Sequence, residues 1–131
     1  MKYVLDTNTC VYALKRQGSI IDRLRERSPD DLAVSIITVA ELWFGARKSK
    51  RPDSNRHSID AFLKPFEVLP FDLGAAEAYS ELRFALEHTG RPIGERDLQI
   101  ASIAVARRRT VVPHNLSEFA RVPGLNVEDW A

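Results

Sequence analysis

Four short, mostly apolar runs, each followed by a stretch with helical periodicity, constrain this chain more than any other feature. They are Lys2 to Leu5, Leu32 to Ile36, Phe66 to Leu69 and Thr110 to Val112. All are too short for helices, and their continuous apolar character suits strands buried on both faces rather than on one. Strands of that kind need helices above and below them, and the intervening segments supply the helices.

The first helix is expected from the Asp6-Thr7-Asn8 break through Lys15, and a second from Ile20 to Arg27 after Gly18-Ser19. Thr38 is placed to cap a helix in which Val39, Leu42, Trp43 and Ala46 form an apolar stripe, with Glu41 beside it near the first turn. Pro52-Asp53 breaks the pattern before a short helix from Asn55 to Leu63. Asp72 opens a helix carrying Ala75, Ala76, Tyr79, Leu82 and Leu86 that ends near Gly90. After the Arg91-Pro92-Ile93-Gly94 loop, Leu98, Ala101, Ala104 and Val105 specify a closely packed helix. Leu116 to Ala120 reads as one turn, and Val127 to Trp130 as a short edge strand. Strands alternating with helices, without a repeat or a long linker, argue for a single three-layer α/β domain over residues 1–131. Its sheet is expected to be mainly parallel, with four or five strands.

Composition narrows the function classes. With 131 residues, 44% of them hydrophobic and 28% charged, the chain can bury a core without covalent staples. Cys10 is its only cysteine, so an intramolecular disulfide and a four-cysteine metal site are both excluded. No apolar run approaches the length of a membrane span, and no phosphate-binding glycine loop or dinucleotide fingerprint occurs. A soluble, cytoplasmic protein with no membrane partner is expected. The net charge of +1 conceals a basic stretch from Arg47 to His57, where Arg47, Lys48, Lys50, Arg51 and Arg56 face one acid, Asp53. Arg47, Lys48, Lys50 and Arg51 are candidate contacts for a polyanion, which such charges position without reading its sequence.

Three acids occupy comparable architectural positions. Asp6 ends the first strand, Glu41 lies just beyond the second, and Asp97 opens the helix before the fourth. In a parallel sheet the crevice beyond the carboxyl ends of the strands is the expected ligand site, so the three can converge. Converging carboxylates with no obligatory basic partner repel one another unless a cation sits between them. Oxygen donors favour Mg²⁺ or Mn²⁺, and such an ion polarises a phosphoryl oxygen and activates water. Each acid alone has a structural explanation as a helix cap, first-turn acid or ion-pair member; together they point to a metallohydrolase acting on phosphodiesters.

Four ordered blocks carry a family resemblance: VLDTNTCVYALK at 4 to 15, SIITVAELWFGARKS at 35 to 49, GRPIGERDLQIASIA at 90 to 104 and VVPHNLSEFARVPGLNVEDW at 111 to 130. The chain resembles, nearly end to end, the VapC toxins, which are PIN-domain ribonucleases of toxin–antitoxin systems. The resemblance implies a Mg²⁺- or Mn²⁺-dependent endoribonuclease, dimeric, held inactive by a VapB-like antitoxin whose C-terminal segment covers the active groove. Asp6, Glu41 and Asp97 match the family's principal acids and are the implied catalytic and metal-binding residues. Some similar proteins cleave the anticodon loop of initiator tRNA, which makes that RNA a candidate substrate.

Around the acids, four residues are candidate auxiliaries. Thr7 and Asn8 stand in the LDTN block, where they can position Asp6 or a metal-associated water. Asn115 stands where PIN domains often carry a fourth Asp, and Glu118 can act through water or as a cap. Pro113 replaces a common family Thr, removing a hydroxyl and a backbone donor. Asn115 and Pro113 also support an alternative reading, a PIN-fold RNA- or protein-binding module with weak or absent catalysis.

Overall fold

The computed structural model describes residues 2–114 and 116–130. Its strands are β1 (Tyr3–Leu5), β2 (Leu32–Ser35), β3 (Glu67–Leu69) and β4 (Thr110–Val112). Its helices are α1 (Thr7–Leu14), α2 (Ile20–Arg25), α3 (Ile36–Arg47), α4 (Pro52–Leu63), α5 (Leu73–His88), α6 (Glu95–Arg107) and the single turn α7 (Leu116–Phe119), with a 3₁₀ turn at Pro29–Asp31. The strands form one parallel sheet in the order β3-β2-β1-β4. Val127 adds only an isolated bridge to Val111, so the fifth strand expected at Val127 to Trp130 does not form among the described residues.

Alternation along each strand divides the core into two layers. Tyr3, Leu5, Leu32, Val34 and Val112 face one side, where they meet Cys10 and Ala13 of α1, Val39, Leu42 and Ala46 of α3, Ile59 and Leu63 of α4, and Trp130. Val4, Ala33, Leu69 and Val111 face the other, against Ala75, Leu82 and Leu86 of α5 and Leu98, Ala101 and Ala104 of α6. Small residues on α6 let it lie close to the sheet, and Ala101, Ile103 and Ala104 are fully buried.

Two helix starts differ from the sequence reading. Ser35, not Thr38, caps α3: its hydroxyl accepts from the Thr38 backbone N–H at 3.1 Å. Starting at Ile36 puts Glu41 in the second turn rather than near the first. Pro52 begins α4 instead of preceding it, because proline at the first helical position lacks only an N–H that would be orphaned there. Asp72 caps α5 as expected, accepting from Ala75 N–H at 3.0 Å.

The topology fixes where a site can form. From β1 the chain crosses to β2 and β3 on one side, while β4 returns to the other, so the strand order reverses between β1 and β4. The crevice beyond the carboxyl ends of those two strands is the switch point. A helix feeding a parallel strand runs back along the sheet, so the start of α6 lies at that same end.

Candidate active site

Asp6 follows β1 directly and is 3% exposed. Its carboxylate caps α1, with Oδ1 accepting from Thr9 N–H at 2.7 Å, and Oδ2 accepts from His114 N–H at 3.3 Å. The Thr9 hydroxyl donates to the Val112 carbonyl at 2.9 Å, tying the cap to the end of β4. Burial raises the Asp6 pKa, and the two N–H donors oppose that rise. Above this turn the His114 ring stacks on Tyr12 with centroids 3.9 Å apart.

Glu41 reaches the crevice from α3. Its Oε1 accepts from the Thr7 hydroxyl at 2.7 Å, and Thr7 also shares a 3.0 Å hydrogen bond with the Thr38 hydroxyl. Oε2 pairs with Arg96 Nη1 at 3.1 Å. The Thr7 hydroxyl therefore bonds Glu41 and Thr38 and not the neighbouring Asp6. Asn8 is exposed on α1 and joins none of these hydrogen bonds. The Glu41–Arg96 pair likewise corrects the expectation of acids without a basic partner.

Asp97 lies in the first turn of α6 and faces Glu118 of α7. Burial, the Glu118 carboxylate, and then the charges of Asp6 and Glu41 push its pKa up to about 7. The hydrogen bond with Asp97 lowers the pKa of Glu118, which also accepts from Gly94 N–H at 3.4 Å. Their hydrogen bond couples the two titrations, raising Asp97 and lowering Glu118. Asn115 lies outside the described residues.

Four carboxylates thus meet at the switch point, and their mutual repulsion registers in the pKa of Asp97. Among the described residues, no three His, Cys, Asp or Glu side chains are already closed around a metal position. The hydrogen bonds give a reason: Asp6 is engaged by backbone donors, Glu41 by Thr7 and Arg96, and Asp97 by Glu118. The donor set nevertheless fits a hard divalent cation, being all oxygen and carrying excess negative charge. Asp6, Glu41 and Asp97 are the residues that would hold it.

Beside this crevice runs a groove of about 750 Å³ whose lining includes Thr7, Glu41, Lys15, Lys48 and Asn55. Of the four basic candidates, Lys48 lines the groove, whereas Arg47, Lys50 and Arg51 are exposed outside its lining. Sequence reasoning missed Arg96, Thr38 and the His114 backbone donor. Arg96 left one signal, a cation in a helical first turn between Glu95 and Asp97, where the helix dipole favours acids.

Residues 3–125 match the PIN domain family model. The chain is 42% identical to Ribonuclease VapC2 of Rickettsia felis, an alignment covering 99% of this chain and 98% of the relative. It is 38% identical to a tRNA(fMet)-specific endonuclease VapC of Salmonella typhimurium, with the same coverage. Among solved structures it superposes on the R. felis VapBC2 complex bound to a promoter DNA fragment with a TM-score of 0.94, at 41% identity over 100% of both chains. On the DNA-bound S. typhimurium VapBC complex the TM-score is 0.95, at 38% identity over 100% of this chain and 99% of the other. The acids at the switch point, the parallel sheet that gathers them and the end-to-end similarity agree: the chain belongs to the PIN-domain family, among the VapC ribonucleases.

Proposed function

We propose that this protein is an endoribonuclease toxin of a toxin–antitoxin pair, hydrolysing RNA phosphodiesters with the help of Mg²⁺ or Mn²⁺ and silenced by a VapB-type antitoxin. One observation carries the catalytic half: the carboxyl of Asp97 is pushed up to about 7 by its burial and by the charges of Glu118, Asp6 and Glu41. A carboxylate cluster under that strain, at the switch point of a PIN domain, is arranged for a divalent ion. Support for the partner comes from the solved VapBC complexes of R. felis and S. typhimurium.

When bound, the cation supplies Lewis acidity toward the scissile phosphate and activates water. The chain's own residues do the rest. Thr7 fixes the rotamer of Glu41, the backbone of Thr9 and His114 fixes Asp6, and Asp97 is the carboxyl whose pKa allows it to accept a proton near neutral pH. Glu118 holds Asp97 in place, and the Asn115 amide, at the sequence position of a frequent fourth family acid, would supply an uncharged oxygen. Lys48, with Arg47 at the end of α3 and Lys50 and Arg51 farther along the connection, attracts the RNA backbone without selecting its sequence.

Initiator tRNA is the substrate this reading favours, from the similarity to the S. typhimurium tRNA(fMet)-specific endonuclease. The chain acts as one PIN domain over residues 1–131, as a homodimer, in the cytoplasm; no helix among the described residues is long and apolar enough to cross a membrane. Controlled expression tests the reading. The protein alone is expected to arrest growth, co-expression of a cognate antitoxin to restore it, and Asp97→Asn to remove the toxicity at equal protein level. Undiminished arrest by Asp97→Asn contradicts it and favours a binding module.

A further inference from the structure

Arg96 makes an ion pair that neither its helix nor its exposure explains. It occupies the second position of α6, where the unpaired N–H groups of the helix start repel a cation. Its side chain is 69% exposed, yet it bends to Glu41, 55 residues away and 22% exposed, at 3.1 Å. Among the described residues it is the only Lys or Arg in an ion pair with Asp6, Glu41, Asp97 or Glu118, and Glu41 is its only hydrogen-bond partner. Among those residues only Nη1 of the guanidinium is engaged, at 3.1 Å from Glu41 Oε2, and the side chain is otherwise largely exposed.

Two partners therefore hold Glu41, one on each oxygen. Thr7 donates to Oε1 as a neutral group compatible with a bound cation, whereas Arg96 on Oε2 brings a positive charge that would oppose a cation held by Glu41. An exposed single-contact ion pair is weak and is displaced easily. Displacement leaves an arginine at the mouth of the crevice, and a planar guanidinium with several free donors matches a phosphodiester better than any other side chain.

The geometry points to Arg96 as a substrate-phosphate-binding residue that Glu41 holds in reserve: it balances the carboxylate cluster before a divalent cation arrives and turns to the RNA backbone once the cation takes Glu41. The inference rests on the metal-dependent ribonuclease reading above. It makes cation and RNA binding mutually reinforcing, because each relieves Glu41 or Arg96 of the partner the other needs.

Mn²⁺ binding to the purified, RNA-free full chain, followed by calorimetry and electron paramagnetic resonance, tests the first half. Arg96→Gln is expected to bind Mn²⁺ about two- to fivefold more tightly than the native protein, with Arg96→Lys in between. The second half is read on the RNA found to be cleaved. There Arg96→Gln raises KM about tenfold while kcat changes less, and Arg96→Lys partly restores KM. Thermal melting confirms that both variants fold. Equal Mn²⁺ affinity in native and Arg96→Gln proteins overturns the inference while leaving the ribonuclease reading intact. An unchanged KM overturns the phosphate role. Failure of the native protein to bind Mn²⁺ at all overturns both, and so identifies the metal reading as the fault.

Discussion

The Thr7 hydroxyl donates to Glu41 Oε1 at 2.7 Å, joining the first turn of α1 to the second turn of α3 across 34 residues of sequence. Thr38 backs this contact from the other side, with its hydroxyl 3.0 Å from that of Thr7. A long flexible acid is thereby held in one rotamer before substrate or cation arrives. Replacing Thr7 by Val keeps the branched shape and removes the donor. Loss of a hydrogen bond that orients a ligand reduces activity or metal affinity about 10- to 100-fold. Thr7→Ser is expected to stay near the native rate; steady-state cleavage kinetics of the two variants, with melting curves as controls, check the difference.

Asp6 does two jobs that separate by mutation. Asn caps a helix as well as Asp does, so Asp6→Asn keeps the bond from Thr9 and removes a buried charge, while its amide NH2 loses the bond from His114 N–H. With these effects opposed, it is expected to melt close to the native temperature while losing RNA cleavage. Asp6→Ala loses the cap as well and is expected to cost about 0.5–2 kcal/mol. Urea midpoints alongside cleavage assays distinguish the two variants.

The raised pKa of Asp97 has a defined consequence for the metal-free protein. In the unfolded chain the group titrates near 3.8, and in the folded chain at about 7. The folded state therefore binds the extra proton between those values, and this group's contribution is fully present below pH 4 and lost as pH rises to 7. Solvent exposure of the half-buried site limits the loss to about 1–2 kcal/mol. In chelator, Asp97→Asn is expected to flatten this part of the stability curve. Mg²⁺ is expected to stabilise the native protein more at pH 7.5 than at pH 5, because only the ionised cluster repels itself.

At the opposite end of the sheet, Arg109 runs from the start of β4 to Glu67 at the start of β3, pairing at 2.8 Å. Its side chain is 8% exposed, and its buried Nη1 finds no partner among the described residues. Glu67→Ala leaves that guanidinium without its acid. Since Glu67 is half exposed, the cost is expected near 1–2 kcal/mol, below that of breaking a fully buried pair. Cleavage by the folded protein is expected to be unchanged, which chemical denaturation and kcat together verify.

The residues that made the fold legible are those whose signal is local. Val4, Val34 and Val111 announce buried strands by their neighbours alone, and Asp6, Asp72 and Gly90 mark helix ends through chemistry that acts within a turn. Boundaries failed where two elements share a composition: Ile36 and Ile37 suit a strand as well as a helix, so the α3 cap was expected at Thr38 instead of Ser35. The edge strand at Val127 to Trp130 failed for another reason. Trp130 is buried against Tyr3, with ring centroids 4.9 Å apart, and Arg27 lies over both rings, so beyond the two backbone bonds at Val111 that segment packs through side chains rather than extending a ladder.

In the site, the three acids were legible because Asp6 ends β1, Glu41 lies shortly beyond β2 and Asp97 opens α6, all at the carboxyl end of a parallel sheet. Their partners were not. In sequence Thr7 is a candidate to position Asp6 or a metal-associated water, whereas in the fold its hydroxyl turns to Glu41; Arg96 reads as an ordinary exposed cation until the fold brings α3 beside it. Long-range side-chain pairing of this kind leaves no periodicity in the sequence, and only the tertiary structure decides it.

The most direct measurement is mapping of the 5′ ends produced when the purified, antitoxin-free protein meets total RNA with Mg²⁺ or Mn²⁺, alongside chelator and Asp97→Asn reactions. The account expects a discrete set of ends, foremost in the anticodon loop of initiator tRNA, that vanishes in both controls. Ends that persist in chelator or in Asp97→Asn, or no new ends from folded, Mn²⁺-binding protein, would contradict it.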